Sequence, residues 1–444
     1  MNKILLIAIG LACFASCTQR DNKQVVFASD NPAERVVWER IRLADPATGK
    51  IPNDIRRKEI IFAKTLPKSA AMSKANWIHR GPYNVGGRTR ALAMDVNNEN
   101  ILFAGGASGG MFRSTDGGLS WGMTTNPNQL HNVTCVAQDT RIGHEDTWYF
   151  GSGELTGSSA SGGEAYYQGN GIYKSVDGGL SWDSLAVTAT NTNGFDSDFD
   201  FIWNVKTDPS NDSLDVVYAA VYSAIYRSEN GGNSWTKVLG GGSAYYANVE
   251  VTSTGVVYAT LSSDGTDKGI WKSVDGQNWI NITDSLFTPV YGRIAIGVNP
   301  SDEDEVYFLA AETDGYGQHT DVFFNGETWT SLWKYNANTA AWNDISLNIP
   351  ANQNSSFDNF NAQGGYDLLV KVHPDNQNTV YIGGTNLWRS TDGFSTPNNT
   401  MIIGGYLIGS AEGDGNWGVY PNHHPDQHDL LFLPSNTDVL LSAT

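Results

Sequence analysis

The chain has 444 residues, enough for one large or two ordinary domains. Charged residues are only 17% of it and the formal net charge is −19. This excludes nucleic acid, whose binding rests on neutralising phosphates with Lys and Arg, and disfavours an anionic membrane surface. With 48 Gly, 14 Trp and 19 Tyr, the composition fits many short strands, tight turns and aromatic filling between sheets.

The N-terminus reads as an export signal. Lys3 is followed by an apolar run, Ile4 to Phe14, too short to span a bilayer, and then by Ala15-Ser16-Cys17. Residues 1–17 resemble a bacterial lipoprotein signal peptide, which implies lipidation at Cys17, although Phe14 departs from the usual Leu. The expected location is the outer membrane or cell surface, or the medium. Removing this segment leaves Cys135 as the only thiol, so no disulfide framework exists. Cys135 lies in the alternating run Asn132 to Ala137 and reads as a small buried strand residue.

Residues 18–75 form a tether and a helical leader. Asn31 can cap a helix with Pro32 at its first position and Glu34 to Arg42 as its body. Pro46, Gly49 and Pro52 break the chain. Asn53 then caps a second helix, Asp54 to Thr65, which stops ahead of Pro67.

From about residue 76 to 444 the sequence repeats at intervals of roughly 45–60 residues, the signature of propeller blades. One block, Ser114-x-Asp116-Gly117-Gly118-x-x-Trp121, recurs as Ser175-x-Asp177 with Trp182 and as Ser228-x-Asn230 with Trp235. A shorter copy is Ser273-x-Asp275 with Trp279, and a late one, Ser390-x-Asp392-Gly393, lacks the Trp. The long gap before Asp392 holds a worn copy, Leu332-Trp333-Lys334-Tyr335 followed by Trp342. Apolar strands flank each block, typified by Val217-Tyr218-Ala219 and Ile172-Tyr173-Lys174-Ser175. Each unit is therefore a four-stranded antiparallel sheet. His428 to Leu433 and Val439 to Ala443 match the first two strands of one more unit. The expectation is an all-β propeller of about seven blades with the last incomplete, and a chain truncated at its C-terminus, because open sheet edges are avoided.

The spacing has a mechanical reason. Ser and Asp accept bonds from turn amides, Gly supplies positive φ, and the Trp folds back into the gap between sheets. These residues match the Asp-box (BNR) repeat, and residues 77–444 resemble sortilin-type receptors and two-propeller xyloglucanases. With Gly81-Pro82, Gly86-Gly87-Arg88 and Phe103-Ala104-Gly105-Gly106, the chain also resembles large exported repeat proteins of Bacteroidetes-type bacteria. The resemblance implies that the block itself is structural and remote from the ligand face. Sialidases also carry the repeat, but their Phe-Arg-Ile-Pro motif is absent here.

Candidate sites lie outside the blocks. His423, His424, Asp426 and His428 could hold a transition metal, although the spacing is no zinc signature. Glu154 opens a Gly- and Ser-rich insertion that ends near Tyr166 and Tyr167, the pairing of carboxylate and aromatics expected of a sugar cleft. Asp196, Asp198 and Asp200 alternate, which places them on one strand face with a weak claim on Ca²⁺. Arg88 and Arg90 could meet an anionic ligand. No cofactor is required, and a divalent cation is the one candidate. The function expected is a cell-surface binding protein with a glycan or a protein or peptide ligand. The alternative is a glycoside hydrolase of xyloglucanase-like type using paired carboxylates, with Glu154 and Asp426 as candidates.

Overall fold

The computed structural model describes residues 32–52, 55–66, 87–130, 132–156, 167–192, 194–351, 355–410, 418–421 and 423–444. Cys17, Trp77, Tyr166 and Gly81 to Gly86 lie outside them. Among the described residues two compact units are distinguished, residues 32–50 and the remainder. The first contains helix α1, Pro32–Leu43; the second contains helix α2, Ile55–Thr65, and all the strands. The leader helices thus form where the capping and proline signals put them. Among the described residues no helix is long and apolar enough to cross a membrane.

Six sheets have four or five strands each, and a seventh has two. Strand order within each four-stranded sheet follows the sequence, as consecutive antiparallel hairpins require. The first strands of successive blades are Thr89–Asp95, Val133–Gln138, Ile202–Thr207, Ala247–Val251, Ile294–Val298, Leu369–His373 and Asp429–Leu433. Each touches the next, and the last touches the first, so these seven strands ring a central channel. Closure is made by Thr89 N–H donating to Thr444 O at 3.0 Å and by Ser435 donating to the Glu99 carboxylate at 2.7 Å through its hydroxyl. The fifth sheet holds the worn repeat. It gains a strand, Gln318–Val322, which pairs with one half of the long strand Gly326–Asn336 while Ala341–Asp344 pairs with the other.

Second strands lie against the neighbouring blade at close range. A Cβ at Gly151 would stand 2.6 Å from Ile202 Cγ2 and 2.7 Å from Cys135 Sγ, so only glycine fits there. Cys135 is the small buried strand residue expected, its thiol pushed up to about 11 by burial.

The repeated block forms the same hairpin five times. Ser175 Oγ–H donates to Asp177 Oδ1 at 2.7 Å and accepts from Gly179 N at 2.9 Å, while Asp177 Oδ1 accepts from the amides of Leu180 and Ser181. Ser114 with Asp116, Ser228 with Asn230, Ser273 with Asp275 and Ser390 with Asp392 repeat the Ser-to-Asp or Ser-to-Asn bond at 2.8–3.0 Å. In the late copy Phe394, fully buried, takes the second glycine's place. Replacing Ser175 by alanine strands the buried Gly179 amide, and a loss of about 1–3 kcal/mol in urea unfolding is expected. A loss below about 0.5 kcal/mol, the usual range of a surface change, would contradict that role.

The block tryptophans of the second, third and fourth copies pack between their blade and the one before it. Trp182 is buried, its Nε1–H donating to Thr124 Oγ1 at 2.9 Å, with Phe103 and Phe150 on its faces. Trp235 packs on Phe199, and Trp279 joins a core containing Val216 and Tyr218. Trp121 of the first blade differs in being 41% exposed; its indole caps its own turn at Gly118 O, as that of Trp235 does at Gly232 O. Its preceding neighbour in the ring is the two-stranded seventh sheet, which offers it no outer strand among the described residues.

One local expectation fails. Asp196, Asp198 and Asp200 do not share a strand face: Asp198–Asp200 is a 3-10 turn capped by Ser197. Asp200 accepts from the amides of Asp196 and Ser197, and Asp198 accepts from Tyr226 Oη and meets Lys237 Nζ at 3.1 Å. Acidic side chains satisfy local amides here better than a strand would, and the alternation was misleading.

Candidate functional site

Residues just before or at the start of the first strands come together at one mouth of the channel. Blade 1 supplies Arg88 and Arg90, blade 5 Arg293, blade 6 Gln363 to Asp367, and the seventh sheet Asp426 to His428. A cavity of about 120 Å³ runs along the channel, lined there by Arg90, Arg293 and His428 and further along by Lys206, Glu250, Lys371 and Asp429. Within it Lys206 Nζ pairs with Glu250 at 2.9 Å.

Glu154 is the anchor. Its backbone exchanges two hydrogen bonds with Tyr167 (2.8 and 2.9 Å), and its side chain, wholly buried, pairs with Arg88 and with Arg90 Nε at 3.2 Å. Burial pushes its carboxyl up while the two guanidinium groups pull it down. Both arginines lie about 5.5 Å from the Tyr366 ring centre, and Arg90 Nη1–H donates to Tyr366 O at 3.1 Å. The sequence marks Glu154 as the opening of a Gly- and Ser-rich insertion and a candidate catalytic carboxylate; the structure makes it a buried counter-ion.

The blade 6 turn is built from left-handed residues. Gln363, Gly364 and Gly365 have φ of 43°, 68° and 86°, and Asn361 Oδ1 holds the Gln363 amide at 2.9 Å. The turn delivers Tyr366 and Asp367. Asp367 is fully buried with neither carboxylate oxygen hydrogen-bonded, and burial, then the nearby Asp426 charge, push it well above the usual carboxylate range. Asp426 is half-buried and also raised, by burial above all. Gln363 Nε2–H donates to Asp426 Oδ1 at 3.3 Å. Two acids this close share one proton, and the buried one keeps it.

Glu312 joins the same turn from blade 5. Its residue surface is exposed, yet burial of the carboxyl group raises it; the side chain makes no hydrogen bond among the described residues, and its Oε1 would stand 3.3 Å from a Cβ at Gly364. Asp426 and Glu312 therefore approach consecutive residues of one turn, Gln363 and Gly364. Both have left-handed backbones, φ 73° and 55°, which are costly in a non-glycine residue and recur at functional sites.

An aromatic ridge leads away from the mouth. Phe195, Tyr222, Tyr245, Tyr246 and Trp203 follow one another with ring centres 4.9–6.5 Å apart, from the 53% exposed Phe195 inward. Trp203 ends beneath the Arg293 guanidinium at 5.5 Å.

The four residues singled out for metal do not converge. His423 Nδ1 accepts from Gly405 N at 2.9 Å, His424 turns to Pro425 O, and His428 Nδ1 faces Arg90 Nη1 at 2.8 Å. The group of metal-ligand spacing among the described residues is Asp139, His144 and Asp215, and there Arg141 already bonds both carboxylates. Sequence reading missed Arg293, Glu312 and Asp367. Aligning the repeats on the first strand of each blade is the signal that finds Arg293 and Asp367, since every blade offers its residues at that offset to the channel mouth.

No family model matches the chain. A xyloglucanase of Paenibacillus sp is 24% identical over 393 residues, covering 74% of this chain and 35% of that protein. The chain is similar to xyloglucanases. Another, of Hypocrea jecorina, is 22% identical over 288 residues, covering 55% and 32%. An ancestral GH74 enzyme shares the fold with a TM-score of 0.52 at 19% identity, over 80% of this chain and 43% of that one. The chain spans about a third of the length of these curated relatives.

Proposed function

We propose that the protein is an exported, glycan-active propeller and a glycoside hydrolase of xyloglucanase-like type, with the channel mouth as its site. The observation that supports this most is the placement of Asp426 and Glu312, two carboxyl residues with left-handed backbones that approach consecutive positions of one turn, Gln363 and Gly364. Glycosidic hydrolysis needs two carboxyl groups roughly 5–9.5 Å apart, one protonated and one ionised. The Asp367–Asp426 pair holds one proton, and Asp426, its less buried member, delivers it and fits the acid. Glu312, whose side chain makes no hydrogen bond among the described residues and whose carboxyl burial raises, fits the base or nucleophile once ionised. Asp367 and Asp426 are too close to each other to stand on either side of a glycosidic bond, so they fill one role together. Glu154 is a positioning residue in this reading, because its fully buried side chain holds Arg88 and Arg90. The aromatic ridge offers ring faces on which the apolar faces of sugars stack, and its length suits a chain rather than a single sugar.

The similarity to xyloglucanases points to a β-glucan backbone as the first substrate to try. Reducing-sugar release from xyloglucan by the full chain is expected, falling at least 10²-fold in Asp426→Asn and in Glu312→Gln, the usual share of a general acid or base. Undiminished release by Asp426→Asn would sink the assignment. A surface-displayed binding protein, anchored through Cys17 and built on Asp-box hairpins, is the second reading, favoured by the aromatic ridge. Glycan binding without release, in wild type and variants alike, would select it.

A further inference from the structure

Arg293 is a cation that the described residues leave without a carboxylate. Its Nη1–H donates only to backbone carbonyls, Gly365 O at 3.2 Å and Tyr366 O at 3.4 Å, and its Nε–H is buried with no partner. Burial, reinforced by the neighbouring Arg90 charge, pulls it down to about 10, which is the mark of a charge short of a counter-ion. Arg88 and Arg90 have Glu154; among the described residues Arg293 has no ion pair.

A second orphan donor lines the same cavity. Arg90 Nη1 stands 2.8 Å from His428 Nδ1, and a guanidinium can only donate. Nδ1 is therefore the acceptor, and the neutral ring carries its proton on Nε2. That Nε2–H is also buried without a partner. Unmet donors and an uncompensated charge in a buried site each carry a free-energy cost that an anion with two oxygens would relieve.

We propose that Arg293 and His428 form a subsite for the carboxylate of an acidic sugar residue, so that the glycan handled at the channel mouth bears carboxylates. A neutral glycan would leave both donors unmet. The ring of Trp203, beneath Arg293 and at the inner end of the aromatic ridge, gives the pyranose carrying that carboxylate a stacking face. This deepens the glycan reading and rests on it for the identity of the ligand as a sugar.

The test is binding, independent of turnover. By calorimetry or NMR titration, the full chain is expected to bind methyl glucuronoside at least about tenfold tighter than methyl glucoside, as a charge-assisted bond requires. N-acetylneuraminic acid in a parallel titration tells a uronate from a sialate, and inorganic sulfate is expected to compete with whichever binds. Arg293→Met erases the preference and Arg293→Lys keeps part of it; since the first removes a buried charge, its thermal midpoint should not fall. Equal affinity of wild type for the charged and neutral sugars, a comparison that needs no variant, overturns the proposal. So does an undiminished preference in Arg293→Met. Carboxylate-dependent binding without hydrolysis would keep the subsite and drop the hydrolase. Hydrolysis of neutral xyloglucan with no preference for acidic sugars would do the reverse.

Discussion

Replacing Glu154 by alanine is expected to lower stability by about 3–5 kcal/mol, the largest loss of any single change at the channel mouth. The carboxylate is wholly buried and pairs with both Arg88 and Arg90. Without it, the buried Arg90 guanidinium loses its ion pair in a site of low polarity, next to Arg293. The same loss frees the blade 2 strand end from blade 1, since Arg88 and Arg90 open the first strand. Urea unfolding measures this as a drop in midpoint with an unchanged slope. Glu154→Gln keeps the shape and one acceptor oxygen, and should fall between wild type and alanine. A midpoint for Glu154→Ala within error of wild type would mean that solvent or other groups already neutralise the arginines.

Asp367→Asn is expected to do the opposite: to stabilise the protein increasingly as pH rises while reducing glycan hydrolysis. In the folded chain this carboxyl sits well above its ordinary value of 3.8, because burial disfavours its charge and Asp426 adds to the penalty. Below the unfolded value both states hold the proton and no difference arises. Above it the unfolded chain ionises while the folded one keeps its proton. Wild-type stability therefore falls by about 1.4 kcal/mol per pH unit from this residue until the folded value is reached. Asparagine does not titrate, so the variant escapes that slope. Urea midpoints of the two proteins should separate progressively as pH rises above about 4, the variant lying above. Parallel curves would contradict a protonated Asp367. The gain in stability at the expense of activity is the usual behaviour of a site that carries strain or unmet polar groups for function.

The architecture was legible because the repeated block is a local mechanism. Ser, Asp and Gly close a turn with their own amides, so Ser175-x-Asp177-Gly178 announces a hairpin wherever it occurs. The tryptophan three residues beyond the second position of the glycine pair announces a neighbouring sheet. Even the worn copy was readable, since Leu332 to Tyr335 kept the alternation of a strand. The exposure of Trp121 was not, because it depends on what stands before it in the ring rather than on its own segment. The site was harder. Glu154 and Asp426 drew notice as carboxylates in polar loops, and both lie at the channel mouth, yet burial gives them different roles. Arg293 sits between a glycine and an apolar strand with nothing local to mark it. Its meaning comes from Gly365 and Tyr366, more than seventy residues away. Glu312 likewise owes its place to the fold of blade 5 against the Gln363–Gly365 turn. Only the offset from the first strand of each blade, compared across the repeats, marks Arg293, and nothing of that kind marks Glu312.

Hydrogen–deuterium exchange of the full chain, with and without xyloglucan oligosaccharides and their glucuronate-bearing counterparts, locates the ligand without assuming that it is turned over. The account predicts slowed exchange in the loops that frame the channel mouth, residues 363–367 and 423–428, with a larger effect from the carboxylated sugar. Protection confined to another surface, such as the groove beside Asp321, Glu327 and Ser355, or none at all, would contradict it.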